Sequence, residues 1–351
     1  MKTYKHLYKQ VHDFENIYLA YRKARKGKRG RMQPAMFERV QEDEMLALQA
    51  ELQNKTYNPG EYHSFFIHDP KKRLISAAPF RDRVIHHALC NVIEPIWEKR
   101  FIDDSYANRV NKGTHRALDR TQEFSRTYKY FLQCDVKQFF PSIDHQILMN
   151  EFSRLIKDKD TLWLCENILK SGEGVLVKEY NMVYFEGDDL FATNRPRGLP
   201  IGNLTSQFWA NVYMNEFDHF VKREMKCTAY IRYVDDFVLF SNDKNQLANW
   251  RNQIIEKMKT LRLTLHEECA QIFPTSTGIP FLGFRVYPNH RLLKTRKAIY
   301  FRRKLDRLSV SYRNKRILFE KINQTIQSWV NYVRYGDTWG LRRSILSGVK
   351  L

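Results

Sequence analysis

The order of elements predicts an α+β fold built on a split βαβ sheet with helices packed on one side: strand, helix, strand pair, helix, strand. Three observations carry that expectation. Residues 129–136, KYFLQCDV, form a mostly apolar run of strand length, as expected of a buried strand. Residues 229–240, AYIRYVDDFVLF, are two such runs meeting at Val234-Asp235-Asp236, the pattern of a hairpin. Apolar residues at helical spacing follow each of them, up to about Lys226 and again over 244–262. With 351 residues and 43% hydrophobic content, the chain can bury the cores of two or three modest domains.

Taken in order, residues 7–26 and 35–54 are expected to be helical, with Met45, Leu46, Leu48 and Leu52 as a buried stripe. Asn58-Pro59-Gly60 ends that region with strong turn chemistry. YHSFFIH and RLISAA then read as a hairpin through Asp69-Pro70, with Lys71, Lys72 and Arg73 at or near its tip. Arg81 to Lys99 returns to helix, broken or kinked near Pro95. Beyond the first long strand, Pro141-Ser142 starts a helix with Ser142 as N-cap and Ile143, Ile147, Leu148 and Phe152 on one face. Short strands are expected in 170–195. Gly198 and Gly202 punctuate a loop before a helix whose inward positions are Trp209, Val212, Tyr213, Phe217, Phe220 and Val221. Short strands near 263–273 and 280–287 complete the sheet.

The charge is large and uneven. Lys and Arg number 59 against 39 acids, a formal net charge of +20, which points to a polyanionic partner. Residues 21–31, YRKARKGKRGR, carry Arg22, Lys23, Arg25, Lys26, Lys28, Arg29 and Arg31 with no acid. Residues 291–351 hold sixteen Lys/Arg against Asp306, Glu320 and Asp337, interleaved with Tyr300, Tyr312, Trp329, Tyr332, Tyr335 and Trp339. Those rings offer stacking to bases or pack a small helical core. The five cysteines form no CxxC pair, which suits a reducing cytoplasm and argues against a zinc site. The N-terminus lacks a signal-peptide apolar region, and no stretch approaches the roughly 18 apolar residues of a membrane span.

Carboxylates at strand ends inside an apolar frame are costly unless a cation compensates them. Asp135 ends the first long strand, and Asp235 and Asp236 sit at the turn of the hairpin. A split βαβ sheet can make those segments neighbours. Mg²⁺ takes oxygen ligands, commonly one or two carboxylates plus substrate phosphates. Two such ions roughly 3.5–4 Å apart can activate an attacking hydroxyl and stabilise a leaving pyrophosphate.

Tyr233-Val234-Asp235-Asp236 matches the YxDD motif of reverse transcriptases, and Gln133-Cys134-Asp135-Val136-Lys137-Gln138-Phe139-Phe140-Pro141 matches the motif bearing their first catalytic aspartate. The chain resembles that family from about residue 70 to 287, and more loosely over nearly its full length. The resemblance implies the right-hand fold of a polymerase: N-terminal extension and fingers over 1–100, a ferredoxin-like palm with interleaved fingers elements over 101–290, and a short basic helical thumb over 291–351. It implies catalysis by Asp135, Asp235 and Asp236, holding two Mg²⁺ ions (Mn²⁺ able to substitute) together with Val136. Lys71, Lys72 and Arg73 sit where the family's fingers hairpin reaches the triphosphate, with Arg73 the preferred contact because its fork binds phosphate bidentately. Phe140 occupies the place of the aromatic gate that excludes a 2′-hydroxyl. Phe281-Leu282-Gly283-Phe284 matches the strand pair gripping the primer end, with Gly283 permitting close approach. Arg197 and Tyr233 join the template–primer contacts.

Arg197-Gly198-Leu199-Pro200-Ile201-Gly202-Asn203-Leu204-Thr205-Ser206-Gln207 is similar to the reverse transcriptases of diversity-generating retroelements, as are SYANRVNKGTHRA (105–117) and PFRDRVIHHAL (79–89). Most family members carry glutamine where this chain has Ile201, and proline where it has Gln207. Ile201, Gly202 and Gln207 are therefore expected at the nucleotide, with Ile201 lowering fidelity. The subtype implies a bacterial or phage-encoded cytoplasmic enzyme that copies a structured template RNA into cDNA from dNTPs. It would err at template adenines for mutagenic retrohoming, with a small helical accessory protein as partner. No RNase H or endonuclease domain is expected within these residues. The other readings are a defence-associated bacterial reverse transcriptase with its own non-coding RNA, a group II intron protein, disfavoured because no maturase or endonuclease extension is expected after the thumb, and a catalytically dead RNA-binding scaffold. Many relatives place after the second palm helix a lysine that can protonate the departing pyrophosphate; here His266 falls in that segment and is either that acid or, the preferred reading, an ordinary surface histidine.

Overall fold

A computed structural model describes residues 2–68 and 72–348. Four helices open the chain: α1 (Tyr8–Val11), α2 (Phe14–Arg25), α3 (Met32–Arg39) and α4 (Gln41–Gln53). The two long helices expected here are each divided. Asp13 is extended (φ −63, ψ 135) and stops the first; Val40 (φ −127, ψ 33) stops the second. Met45, Leu48 and Leu52 are buried, but Leu46 is exposed, because it lies off the line those three make along α4. A hairpin follows, β1 (His63–Ile67) paired antiparallel with β2 (Arg73–Ala77). Lys71 lies outside the described residues. Next, α5 (Phe80–Glu98) runs through Pro95 without a break in the helix.

The central part comprises α6 (Thr114–Thr127), β3 (Tyr130–Lys137), α7 (Phe139–Ser142), α8 (His145–Leu155), α9 (Lys159–Ser171), α10 (Leu204–His219), β4 (Tyr230–Tyr233), β5 (Asp236–Ser241), α11 (Lys244–Thr260), β6 (Thr264–Leu265) and β7 (Ile272–Pro274). The expected cap at Ser142 is displaced. Ile143 (ψ 115) breaks the helix, and Asp144 caps α8 by accepting from the Ile147 amide at 3.0 Å. No strand forms over 170–195 among the described residues; two short 3₁₀ turns, Val177–Glu179 and Leu190–Asn194, occupy it. A π turn, Phe220–Glu224, prolongs α10. β8 (Ile279–Phe281), β9 (Phe284–Val286) and β10 (Arg291–Leu293) make a small sheet before α12 (Thr295–Arg313), α13 (Phe319–Val333) and α14 (Trp339–Ser347).

The main sheet has the order β4-β5-β3-β6, all antiparallel, with β7 also paired to β3. This is the split βαβ arrangement, its last strand cut into two pieces along one edge of β3. Helices were expected on one side, but both faces are covered, which explains the near-continuous apolar runs. Leu132, Cys134, Val136, Phe237 and Leu239 face the core shared with α5, α8 and α10. Phe131, Ile231, Val238 and Phe240 face a second core made with the small sheet and α12–α14. Each such fully buried side chain contributes about 1.5–3 kcal/mol. Alternation places Asp135 on the Phe131 face, towards the C-terminal helices.

Candidate active site

The register of β3 against β5 sets Asp135 opposite Asp236, and the Val136 amide donates to the Asp235 carbonyl at 3.2 Å. Tyr233 pairs with Asp236, leaving Val234 and Asp235 as a two-residue turn. Val234 has φ 61, in the left-handed region that hairpins of this length normally fill with glycine. The turn aims the carboxylates off the sheet end. Burial pushes the Asp235 carboxyl up to about 6, and the Asp135 charge adds to it while Arg73 and Arg232 oppose. Burial likewise pushes Asp236 up to about 7; its Oδ1 accepts from Gln133 Nε2 at 2.9 Å, which opposes the rise, and Asp135 and Asp235 reinforce it. The three aspartates thus sit within one another's field. Asp135 is the outermost, its side chain half exposed.

Among the described residues, no three His, Cys, Asp or Glu side chains converge as a ready-made metal set. The donors nevertheless fit a hard divalent cation: they are carboxylate oxygens, partly desolvated and mutually repelling, with coordination left for substrate phosphates.

Sequence-expected residues gather around this point unequally. Arg73 is exposed at the start of β2 and close enough to act on Asp235. Lys72 Nζ lies 4.2 Å over the Phe66 ring. The Ile201 carbonyl accepts from the Ser76 amide at 2.8 Å, and Asn203 bonds both the Ala78 amide and the Ser76 carbonyl, so the glycine loop is stitched to β2. Gly202 (φ 122) packs so closely on Ile75 that an added Cβ would lie 2.9 Å from its methyl. Gln207 is exposed on the first turn of α10. Phe139 is buried, whereas Phe140 is half-buried, its carbonyl accepting from the Leu199 amide at 2.9 Å. Tyr233 Oη lies 3.1 Å from Thr114 Oγ1.

Three expected contacts land differently. Phe281 is fully buried, so its side chain supports the β8–β9 turn from within. Gly283 (φ 88) is approached by Tyr332 of α13, whose hydroxyl donates to the Leu282 carbonyl at 2.8 Å; an added Cβ would collide with that hydroxyl. The close approach permitted there is thus to the C-terminal helices. Arg197 donates to the carbonyls of Ala192 and Thr193 and lies 4.4 Å over the Tyr180 ring, a brace for its own loop.

The sequence reading leaves two residues beside the carboxylates out of the site: His266 is set aside as a surface histidine, and Lys294 is not singled out at all. His266 Nε2 lies 3.9 Å from Asp135 Oδ2, and its amide donates to the Asp135 carbonyl at 3.0 Å. The pairing of β6 with β3 brings it there, a register no local pattern shows. Lys294, between β10 and α12, faces Asp236, and burial lowers its pKa. The only sequence signal for it was the basic character of its segment.

A second charged cluster lies on the N-terminal side. Lys28 is pushed down by burial, then by Arg83 and Arg31; Arg83 is pushed down by burial and Arg31. Burial also lowers His87 to about 4, with Lys28 and Lys23 adding to it. Among the described residues, Lys28, Arg31 and Arg83 have no acidic partner within salt-bridge distance. No helix of the described residues is long and apolar enough to cross a membrane.

Three aspartates gathered at the hairpin end of a sheet, flanked by a glycine loop and a basic hairpin, are an arrangement with the chemistry that phosphoryl transfer needs. Residues 67–286 match the family model for reverse transcriptase (RNA-dependent DNA polymerase), and the chain belongs to that family of right-hand, RNA-directed DNA polymerases. The match runs from the end of β1 to the end of β9. Protein YkfC of Escherichia coli K12 is 24% identical over 294 residues, 72% of each chain. The group II intron-encoded protein LtrA of Lactococcus lactis subsp. cremoris is 25% identical over 314 residues, 70% of this chain and 50% of that protein. The chain therefore spans about half the length of that relative. Among solved structures, telomerase from Candida albicans matches with a TM-score of 0.46 and 11% identity, over 83% of this chain and 55% of the other.

Proposed function

We propose that this chain extends a primer along an RNA template by two-metal nucleotidyl transfer, with Asp135, Asp235 and Asp236 as the catalytic carboxylates. The observation that carries the reading is the β3–β5 register, which sets Asp135 against Asp236 inside the span shared with the family. Two Mg²⁺ ions, for which Mn²⁺ can substitute, would be held by these carboxylates and the Val136 carbonyl, lowering the pKa of the primer hydroxyl and neutralising the departing pyrophosphate. Arg73 and Lys72 grip the triphosphate from the fingers hairpin. Phe140 blocks a 2′-hydroxyl, and Ile201, Gly202 and Gln207 border the nascent pair. Tyr233, Leu282 and Gly283 carry the primer end, with Phe281 and Arg197 bracing from behind. In this reading, residues 1–100 hold the N-terminal extension and fingers, 101–290 the palm and 291–351 the thumb. The partners are a structured template RNA, the RNA–cDNA duplex and dNTPs, the polyanions a +20 chain would attract. Primer extension on an RNA template with Mg²⁺ tests this. Wild-type extension that disappears in Asp135→Asn supports it; extension that persists in that variant overturns it, and a wild type that only binds RNA restores the scaffold reading.

The diversity-generating subtype is our preferred finer reading, with a small helical accessory protein as a further partner. Ile201 supports it: an apolar side chain in place of the usual glutamine removes a polar contact near the base pair, so a correct pair gains less over a wrong one. Ile201→Gln should lower errors at template adenines by about tenfold in sequenced cDNA. An unchanged error spectrum rejects this role, and faithful wild-type cDNA favours the defence alternative.

A further inference from the structure

The catalytic turn is held from behind by one buried arginine. Arg232, the residue before Tyr233, is wholly inaccessible, as is its ion-pair partner Asp218 on α10. All five of its guanidinium N–H groups find an acceptor. Nε donates to Asp218 Oδ1 at 2.8 Å and Nη2 to Asp218 Oδ2 at 2.7 Å. Nη2 also donates to Ser105 Oγ at 3.1 Å, and Nη1 to Asn211 Oδ1 at 3.1 Å. The last bond, Nη1 to the Val234 carbonyl at 2.9 Å, reaches the turn itself.

The acceptors are fixed in their turn. Asp218 accepts from Tyr230 Oη at 2.8 Å, and Asn211 donates to the Ala107 carbonyl at 2.9 Å. The Arg232 amide donates to the Asp104 carbonyl and its carbonyl accepts from the Tyr106 amide, so residues 104–106 run beside β4 as an added edge. Residues 104–106 are thus tied to the hairpin at three points. A buried ion pair is a poor device for stability, since apolar residues of like volume serve as well. It is a good device for fixing geometry, because a planar fork with five satisfied donors permits one arrangement. What needs fixing lies two residues on: Val234 holds a left-handed φ that a β-branched residue rarely adopts unaided.

We infer that Arg232 is a positioning residue for nucleotide addition: through the Val234 carbonyl it holds the strained turn that presents Asp235 and Asp236. This rests on the polymerase reading. It predicts a defect in chemistry, not in nucleotide binding, that relief of the strain repairs.

The test uses the full chain, with dTTP addition to oligo(dT)-primed poly(rA), a melting curve, and hydrogen–deuterium exchange in EDTA. R232K should fold, slow single-turnover addition by about 100-fold, and leave the dTTP KM within roughly threefold. In EDTA its 230–241 segment should exchange faster than in wild type. Adding V234G, whose glycine takes the left-handed turn freely, should restore at least about tenfold of the lost rate. A folded R232K with the wild-type rate, or a double variant no faster than R232K, overturns the inference. Should R232K fail to fold, S105A removes a single acceptor and is read in the same way: a slower rate that V234G repairs supports the clamp, and an unslowed rate overturns it. If wild type adds no dTTP, the polymerase reading fails instead, and exchange in EDTA judges the clamp on its own.

Discussion

Two clusters of like charge, built in opposite ways, face the solvent of this protein. In the palm, Asp235 and Asp236 are raised by burial and by Asp135, with Arg73 and Lys294 close enough to temper them. On the N-terminal side, Lys28, Arg31 and Arg83 repel one another, and burial lowers Lys28 and Arg83 with no acid among the described residues to offset it. The acids are mounted on paired strands and a strained turn, which fixes them to a point. The cations come from a helix start and the turns after α2, where the Lys28 amide bonds the Arg25 carbonyl and the Arg31 amide the Lys28 carbonyl. Placement on strands suits small, hard counter-ions; placement on turns suits an extended polyanion that adapts as it binds. Each cluster stores repulsion that its ligand would relieve.

The sharpest way to break that comparison is to neutralise one acid. Asp235→Asn should reduce nucleotide addition by at least about 10³-fold, since it removes a central carboxylate of the site. It should also stabilise the metal-free protein at pH 8 by about 1 kcal/mol, because a repelling, partly buried charge is gone. Primer extension and thermal melting in EDTA read the two effects. A variant that is inactive and also less stable would show that the palm acids are compensated within the chain.

The matching change on the cationic side is Lys28→Ala with Arg31→Ala. Affinity for single-stranded RNA should fall about tenfold at 0.1 M salt, and the slope of log K against log salt should shrink by roughly 0.7 per cation removed. An unaltered slope in a filter-binding titration would mean that these cations touch no phosphate, and the likeness between the two clusters would fail.

Much of the palm was legible because its signals are local. Strand-length apolar runs, a hairpin with two carboxylates at its tip, and a glycine loop each declare themselves within a dozen residues. Asp135, Asp235 and Asp236 could be singled out that way. What needed three dimensions was register. His266 reaches Asp135 only because β6 pairs with β3, and Lys294 reaches Asp236 only through the small sheet. The Arg232 clamp draws on Ser105, Asn211 and Asp218, whose spacing along the chain carries no periodicity. Helix boundaries failed for a different reason: His12-Asp13 and Val40 interrupt amphipathic stretches through backbone torsions that no apolar pattern records. Leu46 shows the limit of composition, since an apolar residue inside a helix is buried only if its angle around the axis allows.

The smallest expected effect is also the one that sets the clusters against each other most directly, in their response to pH. Asp235 and Asp236 have folded values of about 6 and about 7, above the ordinary 3.8. Between those limits the folded state keeps protons that the unfolded state has released. Stability of the metal-free protein therefore declines as pH rises through this window, and Mg²⁺ should stabilise it more at pH 8 than at pH 5.5. The cationic side runs the other way. His87 is lowered from 6.5 to about 4, and the buried His86, whose Nδ1 has no hydrogen-bond partner among the described residues, to about 3. As pH falls below 6.5 the unfolded chain takes up protons that these folded imidazoles refuse, so stability is lost towards acid. His87→Asn should flatten that acid limb, raising the melting temperature at pH 5 relative to pH 7 by about 2 °C, while leaving the alkaline decline in place. If the substitution moves both limbs together, the two clusters are coupled through the core and cannot be treated as separate sites.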